Sequence, residues 1–327
     1  GYAPLTVYRE IARAGFSTWF GFTDSLSVAT PLILTGLAAA VAFRMGVYNI
    51  GAEGQLYAGA IASAGAGLAL GDDLPGWLAI AVTVLAGAVG GALWILVPAV
   101  ARTVLGTSEI ITTLLLNYVA LYLMRYLIFG SASYWRDPTV TNFPQGKVLP
   151  EATELARFGT TRVHAGLVIA VVLVVVLWLL VAHTGFGFDM RVMGDSPAAA
   201  RYSGIPVGRT LLVVMLLSGG LAGLAGAIEV AGRAHALDPN GLALNLGYTG
   251  IVVAALARYN PFGVVLVAVL LGGLNNASTT LQSLPGNRVP IAVSLMLQGG
   301  ILLFALGGDV FRRHRLVVRR LPLAAET

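Results

Sequence analysis

Ala165-Gly166-Leu167-Val168-Ile169-Ala170-Val171-Val172-Leu173-Val174-Val175-Val176-Leu177-Trp178-Leu179-Leu180-Val181-Ala182 carries no charged and no amide side chain. Wound as a helix it measures about 27 Å, close to the roughly 30 Å of hydrocarbon that a bilayer presents. Eight further apolar segments share its character, at residues 25–43, 50–70, 77–101, 110–129, 211–231, 247–257, 262–281 and 291–306, each bounded by turn or charged residues. The sequence therefore predicts an all-α polytopic membrane protein with about nine membrane segments. Segment 247–257 is short, glycine-containing and stopped by Arg258-Tyr259-Asn260-Pro261, so it reads as a half-helix or a re-entrant piece.

Composition agrees. Of the 327 residues, 57% are hydrophobic and 11% charged, against about 25% charged in soluble domains, and the mean hydropathy is +0.82. A disordered chain, a collagen-like chain and a disulfide scaffold are excluded. The absence of cysteine also removes thiol catalysis, iron–sulfur clusters and Cys-ligated zinc. The net charge of +5 is scattered between apolar runs and gathered at Arg312 to Arg320, which suits a membrane flank better than a nucleic-acid surface.

Orientation follows from the short connections. Placing the Arg-rich tail in the cytoplasm puts Arg258, the connection at residues 184–210 with Arg191, Arg201 and Arg209, then Arg102 and Arg44 on the same side, while the opposite turn at residues 71–76 carries Asp72 and Asp73. The polar loop 131–164 and residues 1–24 then lie outside, so one further helix is expected to precede residue 1, about ten in all. The chain reads as a single transmembrane domain, residues 1–327. The pairs Gly87/Gly91 and Gly219/Gly223, with the stripe Ser218/Ala222/Gly226, offer the four-residue small spacing that lets helices approach closely.

The connection 184–210 is too structured for a plain linker. Ser196 suits an N-cap, Pro197 the first helical position, three alanines propagate and Gly204 can end the turn in a left-handed conformation. A short surface helix results. Taken alone it is equally a solvated loop helix or a docking knob.

Three stretches together resemble one family. They are residues 187–204 followed by Leu216-Leu217-Ser218-Gly219-Gly220-Leu221-Ala222-Gly223; Tyr48-Asn49-Ile50-Gly51-Ala52-Glu53-Gly54-Gln55, similar to an "NIGAEGQ" signature; and Glu109-Ile110-Ile111-Thr112-Thr113-Leu114-Leu115-Leu116-Asn117-Tyr118, similar to "EVISTIMLNY". They are identified with permease subunits of bacterial ABC importers of the branched-chain amino acid, ribose and nucleoside class, the nucleoside type being most similar. The resemblance runs from Tyr8 to about Ala305. It departs at Val192-Met193-Gly194-Asp195-Ser196, where "AVGxNP" is more usual.

The resemblance implies a non-catalytic subunit of a ten-helix permease in the bacterial cytoplasmic membrane, C-terminus inside, importing nucleosides or, as the alternative, simple sugars. Its cytoplasmic helix would dock into a separate ATPase through Gly194, Asp195, Pro197, Ala198, Arg201, Tyr202 and Gly204. A second permease, a paralogue by preference and an identical copy as the alternative, and a solute-binding lipoprotein at the outer face complete the set. ATP and Mg belong to the ATPase. Consistently, the chain's one lysine, Lys147 in Gln145-Gly146-Lys147-Val148, forms no P-loop, and no metal site is expected.

Within the spans, amides suit the path of a neutral polyhydroxylated solute because each donates and accepts without adding charge. Asn117, Gln298 and Asn275 are therefore the expected path residues, against the alternative of interhelical hydrogen bonding. Arg44, Asn49, Glu53 and Gln55 are expected at an inner gate or in a structural role, with Glu53 able to pair with Arg44. An ion-coupled secondary transporter would need an embedded carboxylate or histidine relay, yet His164, His183, His235 and His314 all lie at or beyond span ends. An intramembrane enzyme fares worse, since neither His-Glu-x-x-His nor Gly-x-Ser-x-Gly occurs.

Overall fold

The computed structural model describes residues 9–140 and 143–283, with a few positions between 296 and 304. Its helices are α1 (Trp19–Arg44), α2 (Ala52–Leu70), α3 (Gly76–Leu105), α4 (Glu109–Arg125, continued by a wide turn at Tyr126–Gly130), α5 (Gly166–His183), α6 (Gly185–Asp195), α7 (Pro197–Tyr202), α8 (Val207–Glu229, continued by a wide turn at Val230–Ala234), α9 (Leu246–Leu256) and α10 (Pro261–Ser283). Eight of the nine expected segments thus appear as helices, and residues 291–306 lie largely outside the described residues. Six helical stretches among the described residues are long and apolar enough to cross a membrane. Helix α2 falls below that measure because small residues, Glu53 and Gln55 dilute it.

Helix α1 sits at the centre. Leu32, Ile33, Leu34 and Leu37 are fully buried, as a helix apolar on every side should be. Helices α10, α9 and α8 surround it, and α8 is in turn clamped between α2 and α3. The clamp is built of missing side chains. A Cβ on Gly223 would stand 2.3 Å from the Gly87 carbonyl oxygen, and one on Gly91 would stand 2.3 Å from that of Gly219. The other stripe of α8 faces α2 and α1, where Ser218 Oγ donates to the Ala38 carbonyl at 2.6 Å. With no hydrophobic force between helices in lipid, such close backbone packing holds the bundle together.

The outward faces of α3 and α5 are apolar until their last turns. Leu85, Val89, Leu93 and Val97 on one, and Val168, Val172, Val175 and Leu179 on the other, are all exposed. Hydrocarbon accepts such surfaces without cost.

Two helices start inside the bundle. After Arg44 the chain runs back as a non-helical segment, and Asn49 Nδ2 reaches Ser218 Oγ at 2.9 Å beside Ala38, about 9 Å from the end of α1. Helix α9 begins at comparable depth: Thr35 Oγ1 donates to the Leu246 carbonyl at 3.1 Å, about 13 Å from that same end. Its eleven residues cover only about half a bilayer, so the short seventh segment reaches spanning length only together with the helical turn Pro239–Leu242 that precedes it.

Candidate functional site

A helix that begins inside a membrane exposes backbone N–H groups where water cannot reach them. The junction of α2 and α9 answers several of them with side chains. Asn49 Oδ1 accepts from Gly51 N–H at 2.9 Å, Asn117 Oδ1 from Gly54 N–H at 2.8 Å, and Thr113 Oγ1 from Ile50 N–H at 3.3 Å. Glu53 Oε2 accepts from Gly247 N–H at 2.6 Å, so a carboxylate in the first turn of α2 caps α9. Its other oxygen accepts from the Tyr57 hydroxyl. Gly247 has to be glycine, because a Cβ there would stand 2.3 Å from the Glu53 nitrogen.

Asn49 and Gln55 hold each other reciprocally, at 2.9 and 2.8 Å. Glu109 closes the near side by pairing with Arg102 at 3.1 Å and accepting from Tyr48 N–H. The signature stretches 48–55 and 109–118 are therefore one object, the latter strapping down the former.

This places several expected residues. Asn49, Glu53, Gln55 and Asn117 are each buried. Asn117 is spent on protein partners: besides Gly54, its Nδ2 donates to the Ile50 carbonyl at 2.9 Å and to the Tyr248 hydroxyl at 3.0 Å. Glu53 does not pair with Arg44, because both its oxygens are engaged at the α9 junction, while Arg44 ends α1 within electrostatic reach of Arg191. Asn275 is half-buried on α10. Gln298 lies outside the described residues. Thr113 and Ser218, quoted within the signature stretches with no bonding role expected of them, and Tyr57 and Tyr248, which bond Glu53 and Asn117, complete the junction.

The connection 184–210 is a helix pair. Thr184 caps α6 by accepting from Gly187 N–H at 3.2 Å, and Ser196 caps α7 by accepting from Ala199 N–H at 3.2 Å. Gly204 ends α7 at φ +80°. Met190 and Met193 are buried under α6, and a Cβ on Gly194 would stand 2.6 Å from the Arg44 carbonyl oxygen, so the pair is seated on the end of α1. Pro197, Ala198, Arg201 and Tyr202 point away, with Tyr202 96% exposed. Asp195 is exposed beside them.

At the opposite end, residues 131–140 and 143–164 fold across α2 and α8. Trp135 Nε1 donates to the Ile61 carbonyl at 3.0 Å, and Leu149 and Leu155 N–H donate to the His235 and Ala231 carbonyls, each at 2.9 Å. His235 lies between Glu154, 3.3 Å away, and Arg157, 2.7 Å away. Burial lowers its pKa, as does the charge of Arg157, against Glu154. His164 packs its ring on Gly166 and Gly232 and accepts from Gly166 N–H at 3.2 Å, and burial, aided by Arg157, brings its pKa down to about 4.

Known proteins share this plan. A family model described as "Branched-chain amino acid transport system / permease component" matches residues 21–306. The guanosine ABC transporter permease protein NupP of Bacillus subtilis is 31% identical, the match covering 91% of this chain and 85% of that protein. The nucleoside ABC transporter permease protein NupB of Lactococcus lactis is 30% identical over 93% and 84%, and the glucose ABC transporter permease protein TsgB13 of Haloferax volcanii 33% over 95% and 83%. The first two bacteria each hold a second, less similar relative, NupQ and NupC. With a bundle of membrane-spanning helices, the two joined signatures and these matches along nearly its whole length, the chain belongs to the family of branched-chain amino acid transport system permease components, as a non-catalytic, multi-pass subunit of an ABC transporter.

Proposed function

We propose that this chain forms part of the path for nucleosides in an ATP-driven importer of the bacterial cytoplasmic membrane, with its C-terminus in the cytoplasm. The drive reading rests on one observation: α7 is capped at both ends, seated on α1 through α6, and turns Pro197, Ala198, Arg201 and Tyr202 outward. A rigid short helix held proud of the bundle suits insertion into a groove on a cytoplasmic ATPase, which binds ATP and Mg. Asp195, Gly194 and Gly204 set its position and its end.

The cargo reading is supported by the likeness to guanosine and nucleoside permeases; the glucose permease relative supports sugars as the second reading. NupP beside NupQ and NupB beside NupC support a paralogous second permease over an identical copy. Residues 131–164 form the outer platform for a solute-binding lipoprotein. Asn49, Gln55, Glu53 and Asn117 act as structural pillars of the path, anchoring α9 and placing Tyr248, while Arg44 fixes the inner end of α1 beneath the docking pair. Asn275 and Gln298 remain the candidates for direct solute contact on the last helices.

Uptake of labelled guanosine and uridine into cells expressing the full importer, competed with unlabelled nucleosides, ribose, glucose and leucine, tests the cargo. Competition by nucleosides alone supports the reading. Competition by glucose or ribose alone transfers it to sugars.

A further inference from the structure

Helix α4 differs from its neighbours in what it leaves uncovered. Where the exposed stripes of α3 and α5 are apolar except toward one end, the exposed side of α4 holds, beside the apolar Val119 and Leu123, a line of six: Ile111 and Leu115 and then Tyr118, Tyr122, Arg125 and Tyr126. Spacings of three and four residues stack these six on one face. Arg125 has no ion-pair partner among the described residues and stands inside the apolar run, about 7 Å short of the helix end at Gly130. A charge there is tolerated where it meets water or a partner, not bare hydrocarbon.

Tyr126 is only four residues from Gly130 and can serve the aromatic belt at a membrane surface, but Tyr118 cannot. Tyr118 follows Asn117, whose side chain binds the buried start of α2, and it lies about 18 Å from Gly130, deep in the bilayer. Tyr248, held by Asn117, adds a further half-exposed hydroxyl at that depth.

We infer that this face of α4 is a wall of the water-filled solute path, with Tyr118, Tyr122 and Tyr126 as a stacking ladder, Arg125 as its hydrogen-bond donor, and Ile111 and Leu115 as the apolar seal below. The inference rests on the nucleoside reading for its cargo. Tyrosine rings stack on the flat face of any nucleobase. A guanidinium only donates, so it favours a base edge with two adjacent acceptors, as the N7 and O6 of a 6-oxopurine, over the acceptor and donor pair of adenine. Guanosine and inosine are therefore favoured over adenosine.

The chain has no cysteine, which makes single cysteines informative. In the complex with its second permease and ATPase, in proteoliposomes, Tyr118→Cys, Tyr122→Cys and Arg125→Cys are expected to react with a membrane-impermeant thiosulfonate at least about tenfold faster than Val89→Cys and Val172→Cys on the apolar stripes, the wild-type complex serving as blank. Arg125→Gln is expected to lower the guanosine-to-adenosine uptake ratio about tenfold. Equal reactivity at the tyrosine and valine positions overturns the path assignment whatever the cargo. Reaction at Arg125→Cys alone, with Tyr118→Cys and Tyr122→Cys silent, also overturns it, reducing Arg125 to a headgroup anchor. An unchanged ratio in Arg125→Gln, with guanosine carried by the wild type, overturns the selecting role. If the wild type carries no nucleoside, the cargo reading fails, and the cysteine rates still decide whether α4 lines a path.

Discussion

Glu53 Oε2 accepts the backbone N–H of Gly247 at 2.6 Å, joining the buried starts of two helices that are 194 residues apart in the chain. Asn245, which precedes helix α9 at φ 56°, makes no side-chain capping bond of its own. Glu53→Leu is predicted to leave the Gly247 N–H and the Tyr57 hydroxyl unanswered, at about 1–3 kcal/mol each. Glu53→Gln keeps an acceptor and is predicted to lose less than half as much. Thermal unfolding of the purified subunit or complex in detergent ranks the two; equal midpoints for Glu53→Leu and wild type would contradict the capping role.

Asn117 serves the same junction from α4. Asn117→Leu strands the Gly54 N–H and the Ile50 carbonyl and is predicted to reduce both folded yield and transport, whereas Asn117→Asp keeps the acceptor and is predicted to retain more yield. Fluorescence-detected size exclusion of tagged variants checks the order. Wild-type yield with lost transport in Asn117→Leu would instead show a contact with solute.

Close crossing of α3 and α8 has its own test. Gly223→Leu places a branched side chain where even a Cβ stands 2.3 Å from the Gly87 oxygen. The helices must separate, and the variant is predicted to insert but fail to yield a monodisperse complex. Gly208→Ala, whose Cβ would meet only the Thr103 methyl at 3.1 Å, is predicted to behave as wild type.

His164 gives the end of the bundle that carries residues 143–164 a pH dependence. Its pKa is about 4 in the fold because burial disfavours the charged ring, against about 6.5 in an unfolded chain. Between those values the unfolded state binds more protons, so this stability is complete above about pH 6.5 and is lost as pH falls toward about 4. The loss is on the order of 3 kcal/mol. His164→Gln is predicted to flatten the thermal-stability profile across that window, measured in detergent at constant ionic strength.

Coupling to the ATPase is tested on α7. Ala199 N–H donates to Ser196 Oγ, so Ala199→Pro removes the donor and the cap together. That variant and Arg201→Glu are predicted to abolish uptake and weaken ATPase co-purification while membrane insertion stays normal. Unchanged co-purification in both would remove α7 from the interface.

Much of this was legible in the residues. Apolar runs reported the spans because lipid leaves composition little freedom, and Ser196-Pro197 with Gly204 reported α7 because caps are local. Helix α6 was hidden behind Gly185-Phe186-Gly187-Phe188, which reads as loop until Thr184 is seen to cap it. The entry of residues 45–51 into the bundle was not legible, since its partners Thr113, Asn117 and Ser218 come from distant helices. Asn117 drew attention as a polar residue in a span, yet a span gives no sign of which side faces a neighbour. Arg125 stood in plain view within segment 110–129, where an average over apolar neighbours conceals a single charge.

The most direct test of the account is ATP hydrolysis by the complete complex in lipid, with the loaded solute-binding protein and a panel of guanosine, inosine, adenosine, uridine, ribose and leucine. The account predicts stimulation by nucleosides, loss of stimulation in Arg201→Glu, and none with ribose or leucine. A complex that forms with no ATPase, or uptake that follows an ion gradient and ignores ATP, would contradict it.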